Sequence, residues 1–284
     1  MPNSLPCVRK SASLTFGFQS PTIQVSLSPA QSKGSDVTSA LHSPVGIDDP
    51  WLNIGKHHLV SRLLLGIEQY TDPALVAKVL EASGTDVFIT TYDLEQTRGS
   101  LLLDDLDQKI ELSRYAWIGT TSFAYSADVA VRTAHHLRAT LGLDVIKLDV
   151  RDAGNGPDGP ATITAARQLL ADGFSIMPFV HPDIHVALEL QDMGCSAIRL
   201  MASPVGSYRG ISDPETMRRC IDALSVPAVV EGGIGSPAHV TEAMELGAAA
   251  VLVNTLVAQA EDPVAMAAAV RQAVSAGIPA VQGS

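Results

Sequence analysis

The feature that most constrains this chain is a repeated pattern that starts at Ser61 and continues to the C-terminal region. A helix-like segment is followed by a turn, often with glycine, and then by a short apolar run of strand length, which is typical of βα units. Eight strand-like runs occur: LLLG (63–66), DVFITTY (86–92), YAWIGTT (115–121), VIKLDV (145–150), SIMPFV (175–180), AIRLMA (197–202), AVVEGG (228–233) and AVLVNT (250–255). Helix-like segments span 72–83, 127–140, 161–172, 185–193, 214–224, 237–246 and 263–276.

Local signals support these helix boundaries. Several segments begin with a capping residue and proline, as in Asp72-Pro73, Ser236-Pro237 and Asp262-Pro263, and others end in glycine. Eight such units predict an α/β fold, the (β/α)8 TIM barrel. An open doubly wound sheet is the alternative, and it would need an early GxGxxG, which the sequence lacks.

The repeat begins well inside the 284-residue chain. Residues 1–50 are rich in Ser, Pro, Gly, Thr and Gln without a sustained period, so we expect a disordered N-terminal extension. Residues 51–284 then form a single barrel domain. The segment from Trp51 to Val60 is expected to form a small cap, with His57 and His58 as surface residues.

Composition excludes several classes of protein. A formal net charge of −11 argues against nucleic-acid binding. No apolar run approaches the roughly 20 residues of a membrane helix, and the first residues lack the order of a signal peptide. The cysteines Cys7, Cys195 and Cys220 form no CxxC and no metal-ligand spacing, which predicts reduced, inert thiols. We therefore expect a cytoplasmic protein with a metal-free site.

The stretch DVIKLDV (144–150) carries the first indication of chemistry. Strand side chains alternate, so Lys147 and Asp149 share one face and the neighbouring apolar residues share the other. In a parallel barrel the apolar face packs on helices, and the lysine and carboxylate enter the interior. A lysine held there can act as an amine nucleophile on a carbonyl, and an internal salt bridge without catalytic function is the alternative.

Other polar residues lie where parallel strands end, which is where barrel active sites are built. Glu231 ends strand seven, His181 follows strand five, and Asn254 and Thr255 close strand eight. These side chains should converge with Lys147 at one mouth.

Glycine-rich segments at the same mouth predict a phosphate site. Glu231 is followed by Gly232, Gly233, Ile234 and Gly235, and a helix begins next; such a turn lets backbone N–H groups approach an anion. A second loop, 202–210, follows strand six. It contains Ser203, Gly206 and Arg209, and is either a cover for the site or a variable surface loop.

From about Ser61 to Gly277 the chain resembles the bacterial thiazole synthase family, ThiG. The matching motifs are SRLLLG, LEASGTDV, IKLDV, SPVGS, VPAVVEGGIGSP and EAMELGAAAVLVNT. The resemblance implies a (β/α)8 fold, an imine between Lys147 and a ketose phosphate, and sulfur from a small ubiquitin-like carrier protein ending in a thiocarboxylate. It also implies a homo-oligomer, no further cofactor, and a phosphate cradle at Gly233 and Gly235 beside Ser203, Gly206, Gly232, Asn254 and Thr255.

Departures from the family motifs suggest a changed substrate. The family has Lys-x-Glu where this chain has Lys147-x-Asp149, and aspartate where it has Glu231; the family has lysine at the position of Glu68, and often a small residue or cysteine at that of His181. A displacement of about 1 Å at a reacting group can cost a hundredfold in rate. With these changes the chain resembles the 2-thiosugar synthases of antibiotic pathways. That resemblance implies glucose 6-phosphate as substrate and 2-thioglucose 6-phosphate as product.

The expected mechanism begins with attack of Lys147 on an open-chain sugar phosphate. Asp149 and Glu231 then share the roles of acid and base, with His181 as a third candidate for proton transfer. Three alternatives remain open: a thiazole synthase acting on 1-deoxy-D-xylulose 5-phosphate, a Schiff-base aldolase, and a non-catalytic barrel that binds sugar phosphates.

Overall fold

In the computed structural model, the described residues are 49–93, 98–99, 106 and 108–278. The predicted disordered extension therefore lies outside the described residues, apart from its last two positions. The strands are β1 (Leu52–Ile54), β2 (His57–Leu59), β3 (Leu63–Gly66), β4 (Val87–Asp93), β5 (Arg98–Gly99), β6 (Ala116–Thr120), β7 (Val145–Leu148), β8 (Ser175–Val180), β9 (Ile198–Met201), β10 (Ala228–Glu231) and β11 (Ala250–Val253). The helices are α1 (Pro73–Ser83), α2 (Ala127–Leu141), α3 (Gly159–Ala171), α4 (Ile184–Asp192), α5 (Pro214–Ala223), α6 (Pro237–Glu245), α7 (Thr255–Ala258) and α8 (Pro263–Gly277).

Eight parallel strands close into a barrel, as predicted. The hydrogen-bonded order is β3-β11-β10-β9-β8-β7-β6-β4, and β4 pairs with β3 to complete the circle. Seven of the predicted helices flank these strands, with bounds within two residues of those expected. The short strand β5 pairs antiparallel with the end of β4.

Helix ends follow the signals in the sequence. The Asp72 carboxylate accepts a hydrogen bond from the Ala74 N–H at the start of α1, and Gly84 ends that helix in the left-handed conformation, with φ of 61°. Such caps satisfy backbone groups that would otherwise lack partners at helix ends. The helices can therefore begin and end abruptly between closely spaced strands.

Two hydrophobic clusters separate the inside of the barrel from its outer wall. The larger cluster lies between strands and helices and contains Ile146, Leu148 and Val150. The smaller one fills the amino-terminal end of the interior with residues such as Val145, Ala197 and Val229. Because side chains alternate along each strand, the next interior positions are Lys147, Arg199 and Glu231, and a charged layer therefore lies above the apolar one.

The predicted cap from Trp51 to Val60 is an antiparallel hairpin of β1 and β2. Its residues Leu52, Ile54 and Leu59 belong to the smaller cluster and close the amino-terminal end of the barrel. The functional mouth is therefore at the opposite, carboxyl-terminal end of the strands, as the fold requires.

Two details concern the ends of strands and the cysteines. The eighth barrel strand ends at Val253, and Thr255 begins the short helix α7, so the end of the predicted strand (254–255) is a helix start. Cys195 and Cys220 are buried, as predicted, and form no disulfide within the described part of the chain; burial raises their thiol pKa values to about 12 and about 11. Cys7 lies outside the described residues.

Among the described residues, no helix is both long enough and apolar enough to cross a membrane.

Candidate active site

A cavity of about 330 Å³ opens at the carboxyl-terminal end of the barrel. This volume lies within the range of small-molecule sites, roughly 300–1,000 Å³. The lining residues come from most of the strand ends and the loops that follow. Among them are Glu68, Thr91, Ser122, Lys147, Arg151, Gly206, Glu231, Gly232, Gly233, Asn254 and Thr255.

Lys147 lies at the inner end of this cavity, with 5 % of its surface exposed. Its Nζ atom is 3.2 Å from Asp149 Oδ2 and 3.7 Å from Glu231 Oε1. The predicted inward direction of the lysine and of both carboxylates is therefore observed. A charged side chain at this depth requires such partners, because burial without them costs several kcal/mol.

Arg199 joins the two carboxylates beneath the lysine. Its guanidinium is fully buried, donates to Glu231 Oε1 at 2.8 Å, and forms a short ion pair with Asp149 Oδ1. Two further N–H groups donate to the carbonyls of Met177 and Leu148, at 2.8 and 2.9 Å. The rigid guanidinium thus fixes both carboxylates relative to the barrel backbone.

The two carboxylates differ in access and in charge environment. Asp149 is fully buried behind the lysine, and Arg151 Nη2 contacts its Oδ2 at 2.6 Å. Burial alone would raise the pKa of Asp149, but the three cations around it hold that pKa well below its usual range. Glu231 instead lines the cavity, and its Oε2 is buried with no hydrogen-bond partner among the described residues. Asp149 therefore stays ionised, while Glu231 borders the cavity and keeps one carboxylate oxygen without a hydrogen-bond partner among the described residues.

The glycine turn after β10 packs against the loop after β9. Ser203 N–H donates to the Gly232 carbonyl at 3.2 Å, and Gly210 N–H donates to the Gly233 carbonyl at 2.8 Å. Gly233 has φ of 66°, and a Cβ there would overlap Ser203 Oγ. The glycines therefore let the two loops approach, in addition to any contact they make with an anion.

Comparison with known proteins identifies the family. The family described as "Thiazole biosynthesis protein ThiG" matches residues 53–284. The chain belongs to this family. A thiazole synthase from Exiguobacterium sibiricum is 40% identical over 234 residues, which cover 80% of this chain and 89% of that protein. A thiazole synthase from Desulforamulus reducens is 40% identical over 230 residues, covering 79% and 87% respectively.

A solved structure is more similar in sequence than these two ThiG relatives. The structure of the Amycolatopsis orientalis BexX/CysO complex matches with 53% identity and a TM-score of 0.79, covering 81% of this chain and 95% of that one. Thiamine phosphate pyrophosphorylase from Pyrococcus furiosus, at 16% identity and a TM-score of 0.52, shares the fold alone. The predicted resemblance to ThiG is confirmed, BexX is a similar protein, and the chain is a sulfur-transferring synthase of this family.

Some predicted site residues do not line the cavity that holds Lys147. His181 is exposed and is not among the lining residues, and Arg209 is also exposed. Ser203 is buried against Ser207, with 3.0 Å between the hydroxyl oxygens, and the Gly235 N–H donates to His239 Nδ1 at 3.1 Å. Ser203 and Gly235 thus make contacts within and between the two loops and are not among the residues that line the cavity.

Two arginines of the site were not among the predicted residues. Arg199 lies at an interior position of the AIRLMA strand, between two apolar residues that face the helices. Arg151 continues the alternation of Lys147 and Asp149 by one further step and lies 4.7 Å from the centre of the Phe179 ring. The alternation of strand side chains that predicts an inward direction for Lys147 also predicts that both arginines face the barrel interior.

Proposed function

We propose that Lys147 forms an imine with an open-chain sugar phosphate, and that sulfur then arrives from a carrier-protein thiocarboxylate. The favoured substrate is glucose 6-phosphate and the favoured product is 2-thioglucose 6-phosphate. The observation that carries this proposal is the buried amine at the inner end of the mouth cavity, within 3.7 Å of both carboxylates and below the glycine turn.

Buried charges of both signs surround the Lys147 amine. Direct ion pairs join three cations, Lys147, Arg151 and Arg199, to two carboxylates, Asp149 and Glu231. The arginines remain charged at any physiological pH and balance both carboxylates. The two arginines therefore pair the two carboxylates independently of Lys147, and the lysine amine, in its free form, is the group that attacks a carbonyl.

We assign different roles to the two carboxylates. Asp149 is ionised, inaccessible and in contact with the lysine, so it positions the amine. Glu231 lines the cavity, its Oε2 has no hydrogen-bond partner among the described residues, and we assign it the movement of protons on the substrate. This division follows the general rule that paired titratable groups with unequal environments take unequal roles.

The proposed reaction proceeds through the imine. The Lys147 amine attacks the sugar aldehyde, and water is lost. Glu231 removes the proton from the adjacent carbon and returns it to the former aldehyde carbon, which moves carbonyl character to the second carbon. The thiocarboxylate sulfur adds to that carbonyl carbon, the carrier's acyl group passes from sulfur to the oxygen derived from the carbonyl, and departure of the carrier's carboxylate removes that oxygen and leaves a thioketone. Glu231 then returns a proton from the first carbon to the second, which restores the imine to Lys147 and leaves a thiol on the second carbon. Water hydrolyses the imine and releases the thiosugar and the free lysine amine.

The phosphate is expected at the glycine turn. Gly232, Gly233 and Thr255 line the cavity on the side away from the buried charges. In this fold, the loops after the seventh and eighth barrel strands are the usual phosphate site, together with a short extra helix. Helix α7 begins at Thr255 and supplies that short helix here.

The rim of the cavity suits a protein partner with an extended tail. Phe123, Val205 and Tyr208 line the mouth and remain 45%, 44% and 42% exposed, and Tyr125 nearby in sequence is 63% exposed. Exposed apolar groups around a site often mark protein contacts. The BexX structure holds a protein named CysO, and a small ubiquitin-like carrier is the corresponding partner proposed for this chain.

Thiazole formation from 1-deoxy-D-xylulose 5-phosphate is the second candidate, favoured by the names of the curated relatives. Both candidates use the imine and the carrier, and they differ in the sugar. An aldolase would need Lys147 but not the carrier protein. A non-catalytic barrel would need neither the carrier protein nor Lys147.

Borohydride trapping separates these proposals. Intact mass is measured after incubation with glucose 6-phosphate, with 1-deoxy-D-xylulose 5-phosphate, and with neither sugar. We expect a reduced adduct with glucose 6-phosphate that is lost in Lys147→Ala and kept in Lys78→Ala, which removes an exposed lysine of α1. An adduct with deoxyxylulose phosphate alone would favour thiazole synthesis, and no adduct with either sugar would overturn the imine.

A further inference from the structure

A carboxylate outside the lysine cluster also faces the cavity. Glu68 follows β3 and Asn254 follows β11, and these two strands are hydrogen-bonded neighbours in the barrel. Asn254 Nδ2 donates to Glu68 Oε2 at 2.6 Å, and both side chains line the cavity that holds Lys147. The pair therefore lies on the substrate side of the barrel wall.

The backbone beneath this pair is shaped to hold it. A Cβ at Gly66 would lie 2.5 Å from Glu68 Oε2 and 2.7 Å from Asn254 Nδ2. Such distances are shorter than van der Waals contact, so the pair can lie over residue 66 only because that residue is glycine. Glu68 is half-buried at the cavity wall, and burial raises the pKa of its carboxyl.

The pair leaves a hydrogen-bond acceptor unused beside the cavity. The Asn254 amide nitrogen is used to hold Glu68, and Asn254 Oδ1 is a buried atom without a hydrogen-bond partner among the described residues. A buried acceptor left unpaired costs about 1–3 kcal/mol. Within the same described part of the chain, Glu231 Oε2 is a further buried acceptor on this cavity without a partner.

Hydroxyl groups are the ligands that fit such acceptors. A phosphate monoester or a carboxylate is largely deprotonated at neutral pH, so it brings further acceptors rather than O–H donors to these oxygens. An aliphatic group would leave the buried oxygens unpaired. A neutral polyol supplies O–H donors at the spacing of adjacent carbons and can satisfy several acceptors at once.

We propose that Glu68 and Asn254 recognise a sugar hydroxyl by hydrogen bonding. This pair would then select polyhydroxylated sugar phosphates over deoxy sugar phosphates. This inference rests on the proposed function and names the feature of the sugar that the site reads. A site built to hydrogen-bond a hydroxyl strongly rejects an analogue that lacks it, because its own polar groups then remain unpaired. We expect a deoxy analogue to bind about tenfold to a hundredfold more weakly.

Calorimetric titration without borohydride tests the pair directly. The ligands are glucose 6-phosphate and its 2-, 3- and 4-deoxy analogues, and the proteins are the wild type, Glu68→Ala, Glu68→Gln and Glu81→Ala. The last variant removes an exposed carboxylate of the same length from α1. We expect the wild type and Glu81→Ala to disfavour at least one deoxy analogue by about tenfold or more.

The variants distinguish hydroxyl recognition from a structural role. Glu68→Ala should lose affinity for glucose 6-phosphate by the same factor, while its Kd for the disfavoured analogue changes less than about threefold, as a double-mutant cycle requires. Glu68→Gln keeps an amide oxygen and should lie between the wild type and Glu68→Ala. Equal weakening of all four sugars by Glu68→Ala would overturn the proposal and assign the pair to support of the barrel wall.

The calorimetric test of Glu68 and Asn254 can fail or succeed independently of the borohydride test of the imine. Discrimination among the sugars in calorimetry without any borohydride adduct would support the pair and remove the imine. An adduct without discrimination would keep the imine and overturn the pair. If Glu68→Ala does not fold, equal binding of glucose 6-phosphate and all three deoxy analogues by the wild type is sufficient to overturn it, as is the absence of sugar phosphate binding.

Discussion

Replacement of Arg199 by methionine should destabilise the protein severely. The guanidinium is fully buried and donates to Glu231, to two backbone carbonyls and to Asp149. Methionine fills similar space but donates nothing, so two carboxylates remain buried beside fewer cations. Removal of one partner of a buried ion pair typically costs about 3–5 kcal/mol. In a barrel of this size, that corresponds to a fall in Tm of roughly 6–20 °C.

The loss should also depend on pH. The pKa of Asp149 is lower in the folded protein than in the unfolded chain, so its stabilising contribution is complete at neutral pH and is lost as the pH falls towards the folded value. Without Arg199, the Asp149 pKa rises and that contribution shrinks. The stability difference between wild type and variant should therefore be largest near pH 7 and should narrow in acid.

Urea denaturation and thermal unfolding, each followed by circular dichroism at pH 7.5 and at pH 3.5, measure this loss, because the contribution of Asp149 falls only below the unfolded aspartate pKa of about 3.9. Arg167→Met is the matched control, since Arg167 is 68% exposed and lies 3.7 Å from a half-exposed Glu189; it should change stability by less than about 1 kcal/mol. A loss below about 1 kcal/mol for Arg199→Met as well would refute the view that the guanidinium holds the charged layer together.

Three further predictions address the site and the core. Glu231→Gln should slow turnover by about 10²–10⁴-fold and abolish exchange of the substrate's carbon-bound proton in D₂O while borohydride trapping persists; unchanged exchange would assign the proton to another group. Gly233→Ala should lower Tm and weaken sugar phosphate binding, because the added Cβ overlaps Ser203 Oγ at a φ of 66°; an unchanged Tm and Kd would contradict the close packing of the two loops. Cys195 and Cys220, whose thiol pKa values burial raises to about 12 and about 11, should resist iodoacetamide at pH 8 until urea is added. Rapid labelling of the native protein, read by peptide mass, would disagree with their burial.

Strand periodicity by itself predicts the correct direction for Lys147. A closed parallel barrel leaves only two sides to each strand, and the alternation in IKLDV places Ile146 and Leu148 against the helices and the lysine inside. The phosphate and imine expectations depend on the family resemblance and on the glycine turn. The barrel and its mouth are thus predictable because period and strand polarity are properties of the sequence itself.

Contacts between distant elements are not predictable in the same way. The separate roles of Asp149 and Glu231 depend on Arg199 and on which carboxylate reaches the cavity, and neither follows from spacing along the chain. The packing of the loop after β9 on the glycine turn likewise depends on the curvature of the closed barrel. Glu68 stands out in the sequence only as a departure from the family, and its role follows from its hydrogen bond to Asn254.

The most direct test of the proposed imine is a crystal structure of the protein soaked with glucose 6-phosphate and then reduced with borohydride. We expect continuous electron density from Lys147 Nζ to the first sugar carbon, with the phosphate against Gly232 and Gly233 and sugar hydroxyls directed at Glu68. Density for an intact sugar phosphate that is separate from Lys147, or that is joined to a different lysine, would contradict the proposed chemistry.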